Sequence, residues 1–137
     1  MRTPFTGGCL CGAIRYRCTA EPERVYYCHC ADCRRGNGSA FHVGLVVTQE
    51  SFEITQGAPK SWSKTADSGR TITRQFCADC GTPMVIRVEA TPATVYVKAG
   101  SLDDPSEVEP SMEIWTDSRV PWAEPGPGIE RFKRGRQ

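Results

Sequence analysis

An all-β domain of short antiparallel strands is expected from this chain. Short runs of alternating apolar and polar residues are bounded by Gly, Pro, Asn and Asp turn signals. No segment sustains the 3.6-residue period of an amphipathic helix. Eight cysteines, seven of them in three tight groups, offer cross-links to a modest core.

Residues 12–18 alternate. Ile14, Tyr16 and Cys18 share one face, and Arg15 and Arg17 take the other. Cys18 therefore reads as a small buried hydrophobe. Residues 40–47 put Phe41, Val43, Leu45 and Val47 on one face, and residues 51–55 put Phe52 and Ile54 together. Gln56-Gly57-Ala58-Pro59 is a turn. Residues 60–64 around Trp62 and residues 70–76 around Ile72 and Phe76 form a hairpin across Asp67-Ser68-Gly69. Residues 83–88 and 94–98 are two further strands, with Pro92 in their connection. Leu102-Asp103-Asp104-Pro105 reads as a turn or helical start, and residues 111–116 as a last short strand.

The length of 137 residues suits one domain. Residues 1–122 form that domain. Residues 123–137 read as a Pro/Gly-rich and basic C-terminal tail, with Arg131, Lys133, Arg134 and Arg136 set against Glu130. Such an end is expected to be solvated. Across the chain 17 basic residues meet 16 acidic ones, which argues against a broad nucleic-acid-binding surface. The apolar runs are far shorter than the roughly 20 residues of a membrane span. The first residues lack the apolar stretch of a secretory signal. A cytoplasmic location is expected, and a disulfide framework is not.

The cysteine groups are Cys9-x-Cys11, Cys28-x-Cys30-x-x-Cys33 and Cys77-x-x-Cys80. Redox catalysis at Cys30/Cys33 or Cys77/Cys80 would need a βαβ setting that the strand pattern does not provide. A nucleobase deaminase needs His-x-Glu and Pro-Cys-x-x-Cys, and neither is present. Zinc fits better, because it takes tetrahedral thiolate sites made from close-spaced pairs. Cys9, Cys11, Cys77 and Cys80 supply four ligands for a closed structural site. Gly12 and Gly81, one after each pair, can turn the chain around an ion. Cys28, Cys30 and Cys33 supply three, which is the usual count at a catalytic zinc with one open position. The alternative is a second closed site completed by His29, His42 or Cys18. His29 lies awkwardly between two ligands and suits solvent contact or a hydrogen bond to a ligand. His42, in an apparent strand, could reach the ion.

Gly8-Cys9-Leu10-Cys11-Gly12-Ala13-Ile14-Arg15-Tyr16, Cys28-His29-Cys30-Ala31-Asp32-Cys33-Arg34-Arg35 and Phe76-Cys77-Ala78-Asp79-Cys80-Gly81 resemble the glutathione-dependent formaldehyde-activating enzyme family, which includes the centromere protein V-like proteins. Lys98-Ala99-Gly100-Ser101-Leu102-Asp103 and the stretch from Ile114-Trp115 to Pro121-Trp122 are similar to it as well. The resemblance implies a zinc-stabilised, Mss4-like β fold. It implies a structural zinc at Cys9, Cys11, Cys77 and Cys80, and a catalytic zinc at Cys28, Cys30 and Cys33 linked to glutathione.

A zinc held by three thiolates already carries a net charge of about −1, so strong activation of water suits it poorly. A soft fourth ligand, such as a small thiol, suits it better. The expected activity is that of a carbon–sulfur lyase. It joins glutathione or a similar thiol to an aldehyde such as formaldehyde, or cleaves the S-hydroxymethyl adduct. Arg34 and Arg35 are candidates to grip the substrate's carboxylates. The alternative is a non-catalytic zinc-stabilised module that contacts protein or nucleic acid.

Overall fold

The computed structural model describes residues 1–136. Eleven strands and one helix follow in order: β1 (Phe5–Gly8), β2 (Arg15–Cys18), β3 (Arg24–Cys28), α1 (Ala31–Asn37), β4 (His42–Thr48), β5 (Phe52–Gln56), β6 (Lys60–Thr65), β7 (Thr71–Phe76), β8 (Pro83–Val88), β9 (Thr94–Lys98), β10 (Met112–Ile114) and β11 (Glu130–Arg131). β1, β2 and β5 make a small antiparallel sheet. The other eight form a large sheet in the order β11-β10-β3-β4-β9-β8-β7-β6.

The all-β expectation holds, and the alternation identified in the sequence is what builds the layers. Ile14, Tyr16, Cys18 and Phe52 from the small sheet meet Leu45, Val47, Met84, Val95 and Val97 from the large one in the main core. Cys18 is fully buried there, as its position in the pattern predicted. β4 runs through the middle of the large sheet and is covered on both sides. Val43, Leu45 and Val47 face the main core, while His42 and Val46 turn to the opposite face. On that second face Tyr26, Cys28, Cys33, Val46 and Met112 form a smaller cluster.

Pairing is not antiparallel throughout. β10 lies parallel to both of its neighbours, β3 and β11. The long connection from Ala99 to Ser111 carries the chain back across the sheet, which a parallel return requires.

Three elements escaped the sequence pattern. β1 is glycine-rich, and β3 sets Tyr26 and Tyr27 between Val25 and Cys28, both buried, so its pattern does not alternate. α1 has only seven residues, of which Cys33 alone is buried, so no period can show. Its boundaries are chemical instead. The Cys30 sulfur accepts the Cys33 N–H at 3.2 Å, and Gly38, at φ 70°, closes the end by donating to the Arg34 carbonyl.

The basic end is largely exposed, yet it is tied to the sheet. β11 pairs with β10, and the Phe132 and Trp115 N–H groups bond the Glu113 and Arg134 carbonyls. Phe132 packs against the second cluster.

Gly44 sits opposite Tyr26 across β3 and β4. A Cβ there would lie 2.6 Å from three atoms of the Tyr26 ring. Gly44→Ala is therefore expected to displace that ring and cost about 1–3 kcal/mol, the usual range for overpacking. Chemical denaturation of the variant beside wild type measures it.

Candidate functional site

The first cysteine cluster joins two loops. Cys9 and Cys11 follow β1; Cys77 and Cys80 follow β7. Each loop turns tightly: the Gly12 N–H bonds the Cys9 carbonyl at 3.1 Å, and the Gly81 N–H bonds the Cys77 carbonyl at 2.8 Å. Both glycines have φ 80°, the left-handed conformation that their place after each pair suggested. The loops are clasped by the Leu10 N–H on the Thr82 hydroxyl at 3.0 Å.

All four sulfurs lie within 4.8 Å of one another. The Cys9 and Cys11 sulfurs are 3.7 Å apart, and those of Cys11 and Cys77 are 3.8 Å apart. Four sulfurs at ~2.3 Å from a tetrahedral centre are separated by about 3.8 Å, so the set fits zinc. The Ile14 N–H donates to the Cys9 sulfur at 3.2 Å. The Thr82 hydroxyl, 3.2 Å from the Cys80 sulfur, leads the causes that hold its thiol down to about 5. Such bonds favour the thiolate form that a metal requires.

The second cluster is assembled where β3 ends and α1 begins. Cys28 closes β3, Cys30 caps the helix, and Cys33 lies in its first turn. Their sulfurs also lie within 4.8 Å of one another. Cys28 and Cys33 are buried, and Cys30 is half-buried. Hydrogen bonds from Cys28 and then Cys33 pull the Cys30 thiol down to about 2, while the same contact with Cys30 pushes Cys28 up. Three sulfur donors this close fit a thiophilic divalent ion such as zinc.

No histidine, aspartate or glutamate joins this trio among the described residues. The three residues considered for closing it are occupied elsewhere. Cys18 lies in the main core. His42 is buried, with Nδ1 3.1 Å from the Lys98 Nζ and Nε2 3.2 Å from the Tyr26 hydroxyl. A lysine ammonium only donates, so Nδ1 accepts and Nε2 carries the proton towards Tyr26. His29 differs most from its expected role in solvent contact. It has no exposed surface and stands 3.6 Å from the Glu113 carboxylate, with the Phe41 ring beside it. The bulk of Phe41 and β10 closes over it.

Two cations beside the trio were not singled out as site residues from sequence. Lys98, at the end of β9, is buried, and that burial lowers its ammonium to about 8. Arg74, in β7, lies across α1, 3.1 Å from where a Cβ of Gly36 would be. Its charge helps to keep Cys30 low. A visible signal for Lys98 existed: alternation along β9 sends Tyr96 and Lys98 to the face opposite Val95 and Val97. Arg74 had none, because only the fold brings β7 beside α1. Of the arginines proposed from sequence, Arg34 is half-buried on the flank of α1. Arg35 is exposed, about 200° around the helix from Cys33.

A family model described as glutathione-dependent formaldehyde-activating enzyme matches residues 4–118. A Penicillium rubens protein, provisionally named a glutathione-dependent formaldehyde-activating enzyme, is 29% identical over 96 residues, which cover 64% of this chain and 49% of that protein. A Schizosaccharomyces pombe protein named an uncharacterized lyase is 29% identical over 80 residues, covering 58% of this chain and 55% of that protein. The matches thus span about half the length of these curated relatives. The crystal structure of a Rhodobacter sphaeroides protein superposes with a TM-score of 0.55 at 20% identity, over 77% of this chain and 91% of the other. That likeness shows a shared fold. No helix among the described residues is long and apolar enough to cross a membrane.

Proposed function

The chain belongs to the glutathione-dependent formaldehyde-activating enzyme family, and from that premise we propose that it is a carbon–sulfur lyase acting on glutathione or a similar small thiol and an aldehyde such as formaldehyde. The observation that carries this reading is a three-sulfur cluster that no fourth protein group completes among the described residues. The names of the relatives, one a formaldehyde-activating enzyme and one a lyase, support it.

In this reading Cys9, Cys11, Cys77 and Cys80 hold a structural zinc, and Cys28, Cys30 and Cys33 hold a second zinc at the reaction site. Zinc bound by the trio would offer a fourth position to a substrate thiol and favour its thiolate form, the nucleophilic state of sulfur. The trio fixes that position between β3 and α1. Behind it lie the buried Tyr26, which packs in the same cluster as Cys28 and Cys33, and His42, which is paired with Cys28 across β3 and β4. Lys98 and Arg74 provide positive charge at its side. In this reading Arg34, half-buried on the flank of α1, would meet a substrate carboxylate; Arg35, exposed and turned away from Cys33, has no contact that supports the same role. In the synthetic direction the thiol sulfur forms a bond to the aldehyde carbon. The carbon–oxygen π bond breaks, and the proton lost from sulfur ends on that oxygen.

The basic end gives the binding-module alternative little support. Arg131 and Arg134 pair with Glu113 and Asp117, which leaves less free charge for a polyanion.

Cys33→Ser is the test. The variant is expected to stay folded, because the main core and the first cluster are untouched, and to lose glutathione binding by calorimetric titration. Wild-type affinity in this variant would contradict the proposal.

A further inference from the structure

The cations beside the trio have no acidic partners. Among the described residues no carboxylate lies within 4.0 Å of Lys98 or Arg74. The nearby Asp32 is already paired, with Lys64 at 2.8 Å. The Arg74 Nε is buried and makes no hydrogen bond. A buried donor left unmade is costly, and native structures keep few of them without reason.

The surroundings give Arg74 a direction. Gly36 lies one turn beyond Cys33 on the same face of α1, about 4.5 Å along the helix axis. Lacking a Cβ, Gly36 lets the arginine lie against the helix; a Cβ there would stand 3.1 Å from Nε. Trp62 is opposite Arg74 on β6 and is largely exposed, although it is among the largest side chains. Lys64, two residues on, reaches Asp32 of α1, so this face of the hairpin is turned towards the helix. The trio and the guanidinium thus lie along one side of α1, and Trp62 shares the hairpin face that Lys64 turns towards it.

We propose that Arg74 is a specificity-determining residue. It receives a carboxylate of the thiol whose sulfur is held at Cys28, Cys30 and Cys33, with Trp62 walling the ligand between them. The planar guanidinium matches a carboxylate in a two-point bond. The short span from Cys33 to Gly36 suits a thiol joined to its carboxylate by a few bonds. The ligand class is a small carboxylated thiol, in preference to a neutral one. This rests on the thiol-binding role proposed above for the trio.

The test compares three ligands on the zinc-loaded protein by calorimetry: glutathione, S-methylglutathione, which keeps the carboxylates but has no free thiol, and 2-mercaptoethanol, which has a thiol and no carboxylate. Arg74→Gln is expected to weaken glutathione and S-methylglutathione by about tenfold or more, the scale of a lost charge-assisted bond. It should leave 2-mercaptoethanol within about twofold of wild type. Arg74→Lys should restore part of the loss, because a point charge replaces the fork. Unchanged affinity for both carboxylated ligands in Arg74→Gln overturns the proposal, and so does an equal loss for all three, which would mark a structural role. If wild type binds S-methylglutathione through Arg74 but neither thiol binds through the trio, the thiol reading fails and the carboxylate receptor stands. If wild type binds none of the three, both fail.

Discussion

Cys77→Ser is expected to abolish the cooperative unfolding transition of the domain and to remove one zinc per chain. The first cluster joins the loop after β1, in the small sheet, to the loop after β7, in the large one. A metal there would pin one layer to the other across the main core. Structural zinc contributes on the order of 10–16 kcal/mol of apparent binding in small zinc domains. That is comparable with the roughly 5–15 kcal/mol that stabilises a typical domain. Cys77 itself is buried, so a serine hydroxyl in its place would be both a poorer ligand and an enclosed polar group. Circular dichroism melts with a parallel metal assay measure the outcome. Cys33→Ser is the internal contrast. Its cluster lies to one side, between β3 and α1, and does not join the sheets.

Glu113→Ala is the second large effect. Glu113 is fully buried in β10, the strand with parallel neighbours on both sides. One carboxylate oxygen lies 3.5 Å from Arg119 and 3.6 Å from His29; the other lies 3.5 Å from Arg131 of β11. These partners come from three separate segments with the acid as their common centre; burial holds the His29 imidazole below its usual pKa, so the two arginines carry the opposing charge. Breaking a buried ionic cluster by removing one partner costs about 3–5 kcal/mol. The lower end is expected here, about 3 kcal/mol, because both arginines retain some access to water. Residues 129–134 should lose amide-exchange protection well before the main core does. Glu113→Leu should cost less in urea denaturation than Glu113→Ala, since it refills the volume. Equal protection of this end in wild type and Glu113→Ala would show that β11 is held by other contacts.

Much of the fold was legible because alternation has a simple period. Ile14, Tyr16 and Cys18 pointed inward as the pattern required, and so did Leu45 and Val47. The cysteines were legible because close spacing and a following glycine limit what two thiols can do. Gly12 and Gly81 adopt the left-handed turn that this demanded. The remainder depended on contacts distant in sequence. α1 is too short to show a period and begins on a cysteine cap. The basic end returns to meet Glu113, which sequence alone gave no reason to place in the interior. His29 followed Glu113 inward instead of facing solvent. Arg74 is 41 positions beyond Cys33 and reaches the trio only because the β6–β7 hairpin lies over α1.

The central claim is an unequal division of sulfur: four cysteines complete one ion, and three bind another that still accepts a thiol. Zinc counting combined with zinc X-ray absorption, before and after adding glutathione, tests it most directly. The account predicts two zincs per chain, one with a full sulfur shell from the start and one whose shell gains a sulfur as glutathione is added. In Cys33→Ser a single zinc, indifferent to glutathione, should remain. Two zincs that both show four sulfurs beforehand, or that both ignore the thiol, would contradict it.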